Sequence, residues 1–259
     1  ATDLLKKVGA EVIIYDGNDK LKEEDVLNKL ENKEDVKVIL GELEDSVINE
    51  IDMMVLSPGI AIDAPFVLRV KEAGVPIWGE IELAYVIGKG KLAAITGTNG
   101  KTTTTTLIAK MLEAAGKKVY LGGNIGKALM PALDTITEED VAVVELSSFQ
   151  LLTMGNIVGK PDVAVVTNIE CTHQDHHVNL DEYVDAKRNI LIYQKPSQRT
   201  ILNADCDYTI GNRVYHNMRC DVRGKYYQFS IKHPVPNGAY MEPSTGDIYF
   251  ADNGKRTLV

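Results

Sequence analysis

The stretch Ala93-Ala94-Ile95-Thr96-Gly97-Thr98-Asn99-Gly100-Lys101-Thr102 decides the fold of this chain. The apolar residues 92–95 predict a short buried strand, and the apolar spacing of residues 107–112 predicts a helix that ends at Gly116. A small, polar turn bounded by glycines joins the two. A strand, a glycine-rich turn, a lysine, a hydroxyl residue and a helix, in this order, are typical of a loop that binds phosphate.

The residue types in this turn suit phosphate chemistry. Glycines allow backbone N–H groups to point at an anion, and the helix N-terminus adds partial positive charge. We expect Lys101 to reach the outer phosphates of a nucleotide and the Thr102 hydroxyl to hold Mg²⁺. The strict pattern G-x-x-x-x-G-K-[ST] is not met, because Ile95 stands where the first glycine should be. The alternative is an ordinary turn with an exposed lysine, but five consecutive threonines, residues 102–106, are otherwise a poor way to begin a helix.

The composition limits the class of protein. With 259 residues, of which 44% are hydrophobic and 25% charged, the chain has the size and balance of a globular protein of one or two domains. The net charge of −9 argues against a nucleic-acid partner, and the apolar runs are too short for membrane insertion. The three cysteines are widely spaced and no signal peptide is visible, so we predict a cytoplasmic protein.

Short strands and helices alternate through residues 1–88, which predicts a doubly wound, Rossmann-like domain. The strand and glycine turn that should precede its first helix are missing, so we expect the domain to lack its first βα unit. Gly88-Lys89-Gly90-Lys91 is the predicted hinge, and we set the domain boundaries at residues 1–89 and 90–259. The predicted strands are 11–15, 36–40, 53–56 and 75–78, and the predicted helices are 4–8, 22–30 and 65–73.

The second domain is predicted to be a P-loop-type α/β domain. The phosphate loop opens it, and a helix at 181–193 and strands at 119–121, 141–146, 163–166 and 200–202 follow. From Cys206 onward the pattern changes to short alternating strands, such as 226–230 and 247–250, which predict hairpins in a flap beside the parallel sheet. The predicted fold class is therefore α/β with a small antiparallel hairpin region.

Two positions in the first domain directly follow predicted strands. Ligands of open α/β sheets bind at the carboxyl ends of strands, where an acidic residue after the second strand can reach a ribose hydroxyl. Asp16 follows strand 11–15, and Ser57-Pro58-Gly59 follows strand 53–56. Both are therefore candidate ligand contacts, although both can also be plain turns.

Glu145 is a carboxylate inside the apolar run Val141-Ala142-Val143-Val144. If buried, it must be paired or bound to a metal. Beside a phosphate loop, Mg²⁺ is the natural partner. The alternative is an exposed position on an edge strand.

The segment Cys171-Thr172-His173-Gln174-Asp175-His176-His177 contains three of the five histidines of the chain. One interpretation is a structural Zn²⁺ site with Cys171 among its ligands, but the spacing fits no standard zinc pattern. The other is a loop at a strand end from which one or two of these groups meet an active-site cation.

Lys187 lies in the centre of an apolar face of the predicted helix. A lysine there usually extends to solvent or pairs with a carboxylate, such as Asp185 or Asp175. The alternative is a functional lysine with a lowered pKa. The apolar face consists of Leu180, Tyr183, Val184, Ile190 and Leu191.

Together these residues resemble the Mur ligases, and most closely the MurD subfamily. The resemblance covers nearly the whole chain. The phosphate loop alone is shared with folylpolyglutamate synthetases, whereas the ordered combination of motifs is specific. The motifs are Ser57-Pro58-Gly59-Ile60, Gly79-Glu80-Ile81-Glu82-Leu83, Gly97 to Thr102, Gly122-Gly123-Asn124-Ile125-Gly126, Glu145-Leu146-Ser147-Ser148-Phe149-Gln150-Leu151, Asn168-(x)4-His173-x-Asp175 and Tyr183-Val184-Asp185-Ala186-Lys187.

The resemblance implies an ATP-dependent ligase of peptidoglycan synthesis. ATP would phosphorylate the carboxylate of UDP-N-acetylmuramoyl-L-alanine, and the amine of D-glutamate would attack the resulting acyl phosphate. Two Mg²⁺ ions would screen the phosphate and the developing oxyanion, which is a sound use of metal ions.

The resemblance also implies the roles of individual residues. It assigns Thr102 and Glu145 to one Mg²⁺, and His173 and a carbamylated Lys187 to a second. Lys101, Glu145, His173 and Lys187 would be catalytic. The ATP loop would be Gly97, Thr98, Asn99, Gly100, Lys101, Thr102 and Thr103; Asn124, Ser147 and His173 would face the muramoyl part, and Asp16, Ser57, Pro58 and Gly59 the UDP moiety.

Parts of the family pattern are missing from this sequence. These are the first βα loop, the adenine-contacting end of the central domain and the whole C-terminal domain, and His176-His177 replaces the commoner residues after the aspartate. We therefore expect residues 1–259 alone to lack turnover. The alternatives are another Mur or folylpolyglutamate-type ligase, or a nucleotide-binding fragment without turnover.

Overall fold

The structure is a computed structural model of the chain, and it describes residues 1–57, 59–125, 135–154, 161–170, 180–210 and 218–259. The described residues form two compact units, one from Ala1 to Ile87 and one from Gly88 onward. In the described part of the chain, no helix is long and apolar enough to cross a membrane.

The first unit is built from short parallel strand pairs with helical connections. Strand β1 pairs with β2 and strand β3 pairs with β4, both in parallel, as the alternating pattern predicted. Two helices, α3 and α5, were not predicted from the sequence. The elements are α1 (Thr2–Lys7), β1 (Val12–Asp16), α2 (Glu23–Leu27), β2 (Val36–Leu40), α3 (Asp45–Ile48), β3 (Met54–Leu56), α4 (Pro65–Glu72), β4 (Ile77–Gly79) and α5 (Glu80–Ile87).

The core of this unit lies between α3, α4 and the strands. Pro65 begins α4, a position where its missing N–H costs nothing. Val67 and Val70, three residues apart on one helix face, are buried. Phe66 meets the ring of Tyr15 edge-on, with 5.0 Å between the ring centroids. Strand β1, which ends at Asp16, is thereby fixed against α4.

The second unit contains the predicted strand, glycine turn and helix. Its elements are β5 (Lys91–Thr96), α6 (Lys101–Ala114), β6 (Val119–Gly123), β7 (Val141–Glu145), α7 (Ser148–Thr153), β8 (Val163–Val166), α8 (Leu180–Ile192), β9 (Arg199–Asn203), α9 (Asp207–Ile210), a 3₁₀ turn (Met218–Asp221), β10 (Lys225–Ser230), β11 (Gly238–Met241), β12 (Ile248–Asp252) and β13 (Lys255–Leu258).

One mixed sheet organises this unit. The strand order is β13-β12-β11-β10-β9-β8-β5-β7-β6, and every described pairing from β6 to β11 is parallel. Strand β5 lies between β7 and β8, and its residues 92–96 are all buried, so both of its faces are covered. Its core partners are Ala109 from α6, Val143 from β7 and Val165 from β8.

The predicted antiparallel flap is partly wrong. Strands β12 and β13 are antiparallel, as predicted, but β10 and β11 run parallel to their neighbours and extend the main sheet. The connection from β9 to β10 contains α9 and the 3₁₀ turn. Such a crossover returns the chain to the same end of the sheet, so β10 enters parallel to β9.

Candidate functional site

The candidate site lies at the carboxyl end of β5. The loop of residues 97–100 leaves this strand and leads directly into α6. Because β7 and β8 flank β5 in the sheet, the segments that follow these two strands meet the loop from both sides. This is the place in an open parallel sheet where ligands bind.

Two glycines shape the loop for different reasons. Gly97 has φ of +146°, and a Cβ there would overlap the hydroxyl of Thr167. Gly100 has φ of +76° and is the N-cap of α6, where a Cβ would meet nothing within 4 Å. Gly97 is therefore required by crowding and by backbone conformation, whereas Gly100 is required by conformation alone.

The segment after β8 holds the loop. The backbone N–H of Thr98 donates to the carbonyl oxygen of Asn168 at 2.9 Å. The Asn168 side chain accepts from the Asn99 N–H at 2.9 Å and donates to the Asn99 carbonyl oxygen at 3.0 Å. Thr167 Oγ1 donates to the same carbonyl at 2.7 Å, and Glu170 Oε2 accepts from Asn99 Nδ2 at 2.8 Å. The loop conformation is therefore fixed by side chains about 70 residues away in sequence.

Lys101 is the first residue of α6, and its Nζ donates to the Thr98 carbonyl oxygen at 2.9 Å. The ammonium thus lies over its own loop. The first N–H groups of a helix have no intrahelical acceptor, so those of Lys101, Thr102 and Thr103 can receive an anion. Thr103 is exposed at this end of α6.

Glu145 is buried, with 2% of its surface exposed. Its Oε2 accepts from Thr102 Oγ1 at 2.8 Å, and its Oε1 accepts from Asn124 Nδ2 at 3.1 Å. Since β7 lies between β5 and β6, the alternative of an exposed edge position is wrong. A carboxylate, a hydroxyl and an amide in contact are oxygen donors of the kind that Mg²⁺ prefers.

Asn124 is directed at Glu145 by the end of β6. Gly123 has φ of +92°, and a Cβ there would overlap the Glu145 carbonyl oxygen. That carbonyl accepts from the Asn124 N–H at 2.9 Å. Two backbones therefore approach closely at this point, and only glycine allows it.

Ser147 is the N-cap of α7. Its Oγ accepts from the Gln150 N–H at 3.2 Å, and the Gln150 side chain accepts from the Ser147 N–H at 3.0 Å. This capping box satisfies the helix start and fixes the Ser147 hydroxyl two residues after Glu145.

Lys187 is almost completely buried, with 1% of its surface exposed. Its Nζ lies 3.5 Å from Thr96 Oγ1 and 4.4 Å from the ring centroid of Tyr183. Burial, and next the positive charge of Lys101, lower the pKa of Lys187 to about 7. In the described part of the chain it has no carboxylate partner, and Asp185 pairs with Arg188 at 2.8 Å instead. The suggested pairing with Asp185 is therefore wrong.

Several predicted residues lie outside the described residues. They are Pro58, Gly126 and the whole segment Cys171 to His177, which includes His173 and Asp175. Within the ranges that the structure describes, no group of three or more His, Cys, Asp or Glu side chains is arranged to hold a metal ion.

In the first unit, the candidate residues lie at strand ends. Asp16 is the exposed last residue of β1, and its Oδ1 accepts from the Asn18 N–H at 2.9 Å. Ser57 directly follows β3, and its carbonyl oxygen accepts from the Ile60 N–H at 3.0 Å. Both residues thus form local turns at the carboxyl ends of parallel strands, and Gly59 is exposed in the second turn.

Sequence reasoning missed Thr167 and Glu170, which hold the loop, and it missed the contact between Thr98 and Tyr183. The Thr98 and Tyr183 hydroxyls lie 3.1 Å apart in the interior. A usable signal was present for Thr167, which directly follows β8. Polar residues after a strand that neighbours the loop strand are natural partners of the loop.

Comparisons with known proteins agree along the chain. Residues 95–243 match the model of the Mur ligase middle domain, and residues 2–79 match that of the Mur ligase MurD-like N-terminal domain. The UDP-N-acetylmuramoylalanine–D-glutamate ligase of Lachnospira eligens is 43% identical over 243 residues, which cover 93% of this chain and 52% of that protein. The ligase of the same name from Clostridium acetobutylicum is 38% identical over 252 residues, covering 96% of this chain and 52% of that protein. The chain thus spans about half the length of the curated relatives it matches.

Solved structures share the fold at low identity. A UDP-N-acetylmuramoyl-L-alanyl-D-glutamate–2,6-diaminopimelate ligase superposes with a TM-score of 0.51 at 15% identity, over 82% of this chain and 54% of that one. A murein peptide ligase from Psychrobacter arcticus superposes with a TM-score of 0.50 at 15% identity, over 99% and 57% of the two chains. Both likenesses concern the fold alone.

Proposed function

The chain belongs to the Mur ligase family, and from this premise we propose that it is the nucleotide-binding and UDP-substrate-binding part of a D-glutamate-adding ligase. The reaction joins D-glutamate to UDP-N-acetylmuramoyl-L-alanine at the expense of ATP, in the synthesis of peptidoglycan. We place it in the cytoplasm, a reducing compartment that suits the free thiols of Cys206 and Cys220.

The two domains divide the substrates between them in this proposal. Residues 1–89 bind the UDP moiety through Asp16 and the Ser57-Pro58-Gly59 turn, which stand at the carboxyl ends of parallel strands. Residues 90–259 bind ATP through the loop from Gly97 to Thr103. The muramoyl part lies against Asn124, Ser147 and His173.

The phosphate loop fits the nucleotide that this proposal requires. Gly97, where a Cβ would overlap the Thr167 hydroxyl, lets the loop pack closely against the segment after β8, which holds the loop in place. The N-terminus of α6 and the Lys101 ammonium, which donates to the Thr98 carbonyl oxygen, both supply positive charge at the loop. The interaction is therefore charge-assisted, which makes it strong.

The donor set beside the loop fits Mg²⁺. Thr102 and Glu145 would hold one ion, and His173 with Lys187, as its carbamate, a second. When bound, the ions supply positive charge that screens the transferring phosphoryl group. A lysine can add CO₂ only as the neutral amine, and the lowered pKa of Lys187 makes that form available near pH 7.

The residues of the chain then have separate tasks in acyl phosphate formation. Lys101 and the loop amides hold the phosphates of ATP in line with the substrate carboxylate. Glu145 is held beside the loop by its hydrogen bonds from Thr102 and Asn124. Asn124 and the capped Ser147 orient the muramoyl part, so that its carboxylate rather than water meets the phosphoryl group. The D-glutamate amine attacks the acyl phosphate, and phosphate leaves.

The contact between Thr102 and the buried Glu145 is the observation that carries this proposal. It brings a hydroxyl from the first turn of the loop helix to a buried carboxylate on the neighbouring strand β7, as a cation shared by the two groups would require. The matched control for a test is Lys110, an exposed lysine on the same helix that pairs with Glu113.

The test is calorimetric titration of the chain with ATP and Mg²⁺. Lys101→Ala should weaken binding by a factor of about 10 to 150, the equivalent of losing a charged hydrogen bond. Lys110→Ala should leave the affinity unchanged. If Lys101→Ala binds as tightly as the unaltered chain, the loop assignment is wrong.

The substrates are tested by phosphate release in the protein as its gene encodes it. Release from ATP should require both UDP-N-acetylmuramoyl-L-alanine and D-glutamate. Release that instead requires a folate or a longer muramoyl peptide would favour a different ligase of the superfamily. ATP binding without release under any of these conditions would favour a nucleotide-binding module.

A further inference from the structure

Tyr183 contacts both the buried Lys187 and the phosphate loop of the second unit. It lies on α8 one turn before Lys187, so both side chains are on the same face of the helix. The Tyr183 ring faces Lys187 Nζ at 4.4 Å from the centroid. Its hydroxyl lies 3.1 Å from Thr98 Oγ1, inside the phosphate loop. One side chain therefore touches both the buried lysine and the loop.

Thr98 makes hydrogen bonds both through its side chain and through its carbonyl oxygen. It is buried, with 4% of its surface exposed, and its Oγ1 also accepts from the Glu170 N–H at 3.0 Å. Its carbonyl oxygen accepts from Lys101 Nζ at 2.9 Å. A displacement of Thr98 would therefore move the acceptor that orients the Lys101 ammonium.

The two contacts of the Thr98 hydroxyl come from different directions. Glu170 belongs to the segment after β8, which already binds the neighbouring residue Asn99. Tyr183 belongs to α8. Among the described residues, its hydroxyl makes the one hydrogen bond from that helix to the loop. Without it, the loop would be held at Thr98 from the β8 side only.

We propose that Tyr183 is a positioning residue that holds the phosphate loop in its binding conformation through the Thr98 hydroxyl. The inference rests on the proposed function of the loop and adds a residue outside it. A loop held in place before the nucleotide arrives loses less conformational entropy on binding, so the tether raises affinity without touching the ligand.

Tyr183→Phe is the suitable substitution, because it removes the hydroxyl and keeps the ring against Lys187. The loss of one neutral hydrogen bond should weaken Mg²⁺–ATP binding by a factor of about 2 to 10. Tyr85→Phe is the matched control. Its hydroxyl is buried in the first unit and has no hydrogen-bond partner among the described residues, so this variant should bind Mg²⁺–ATP like the unaltered chain.

A double-mutant cycle separates positioning from a general loss of structure. If Tyr183 acts through Thr98, the variant Thr98→Val with Tyr183→Phe should bind no more weakly than Thr98→Val alone. A general loosening of α8 would instead make the two losses add. Additive losses would therefore refute the tether.

Hydrogen exchange of the loop gives a readout that needs no nucleotide. Peptides that contain residues 96–103 should exchange faster in Tyr183→Phe by the same factor of about 2 to 10, and in Tyr85→Phe they should not. An unchanged exchange rate with unchanged affinity would refute the proposal. If the unaltered chain fails to bind Mg²⁺–ATP, the proposed function is wrong, and the exchange experiment still decides whether the tether exists.

Discussion

Lys187→Met is expected to stabilise the chain against unfolding, by an amount that depends on pH. Burial lowers the pKa of Lys187 from 10.5 to about 7. Below pH 7 the side chain is charged in both the folded and the unfolded states, so the folded state bears the full cost of burying that charge. Between these two pKa values the unfolded chain holds a proton that the folded chain has lost. Unfolding then takes up a proton, and raising the pH makes unfolding less favourable.

The magnitude follows from the two pKa values. The lysine reduces the free energy of unfolding by about 4 kcal/mol at pH 7 and by about 2 kcal/mol at pH 9. Methionine has a similar length and no charge, so it carries no such cost. The advantage of Lys187→Met over the unaltered chain should therefore shrink by about 2 kcal/mol between pH 7 and pH 9.

Urea unfolding followed by far-ultraviolet circular dichroism measures this difference. Buffers free of CO₂ and containing EDTA keep the lysine as an unmodified amine. Lys195→Met is the control, because Lys195 is exposed just after α8 and its replacement should give a difference that does not vary with pH. A Lys187→Met advantage that is equal at pH 7 and pH 9 would refute the reasoning.

Two further predictions concern the loop and the helix that carries Lys187. Gly97→Ala should abolish Mg²⁺–ATP binding and should cost more folding free energy than Gly100→Ala, because its Cβ would overlap Thr167. Gly100→Ala should cost only about 1–2 kcal/mol of folding free energy, measured by urea unfolding. Equal losses of folding free energy in the two variants would contradict this. Arg188 donates to both carboxylate oxygens of Asp221 at 2.7 and 2.8 Å, so Arg188→Ala should lower the free energy of unfolding by about 1–3 kcal/mol. Arg188→Lys should restore less than half of it, since an ammonium cannot make the paired contact; full recovery would show that charge alone matters.

Local patterns predicted the parts of the fold in which a residue's neighbours in sequence decide its structure. The strand, glycine turn and helix around Gly97 were predicted because the apolar runs and the turn are contiguous. Helix α5 was not predicted, because residues 81–85 are all buried and so show no helical periodicity. The direction of β10 was missed because strand alternation reports burial and carries no information about the direction of the partner strand.

The site residues also divide into those that local sequence patterns identify and those that they do not. Thr102 and Glu145 were expected to share an ion, and the structure brings their side chains to 2.8 Å. Each was recognisable alone, one from the loop motif and the other as a charge in an apolar run. The Thr98–Tyr183 contact joins residues 85 positions apart. No spacing rule links such distant positions, and the order of strands that brings them together is a property of the whole sheet.

The loop segment alone would not keep its conformation in another protein. Its conformation depends largely on residues outside the loop, since Thr167, Asn168 and Glu170 supply most of the hydrogen bonds to Asn99. Residues 93–106 grafted onto another parallel sheet would bring the glycines and the lysine. They would lack the segment after β8, which holds the loop with Gly97 at its positive φ. A transplant that preserves the loop conformation therefore has to include the two adjacent strands β5 and β8 with the segments that follow them.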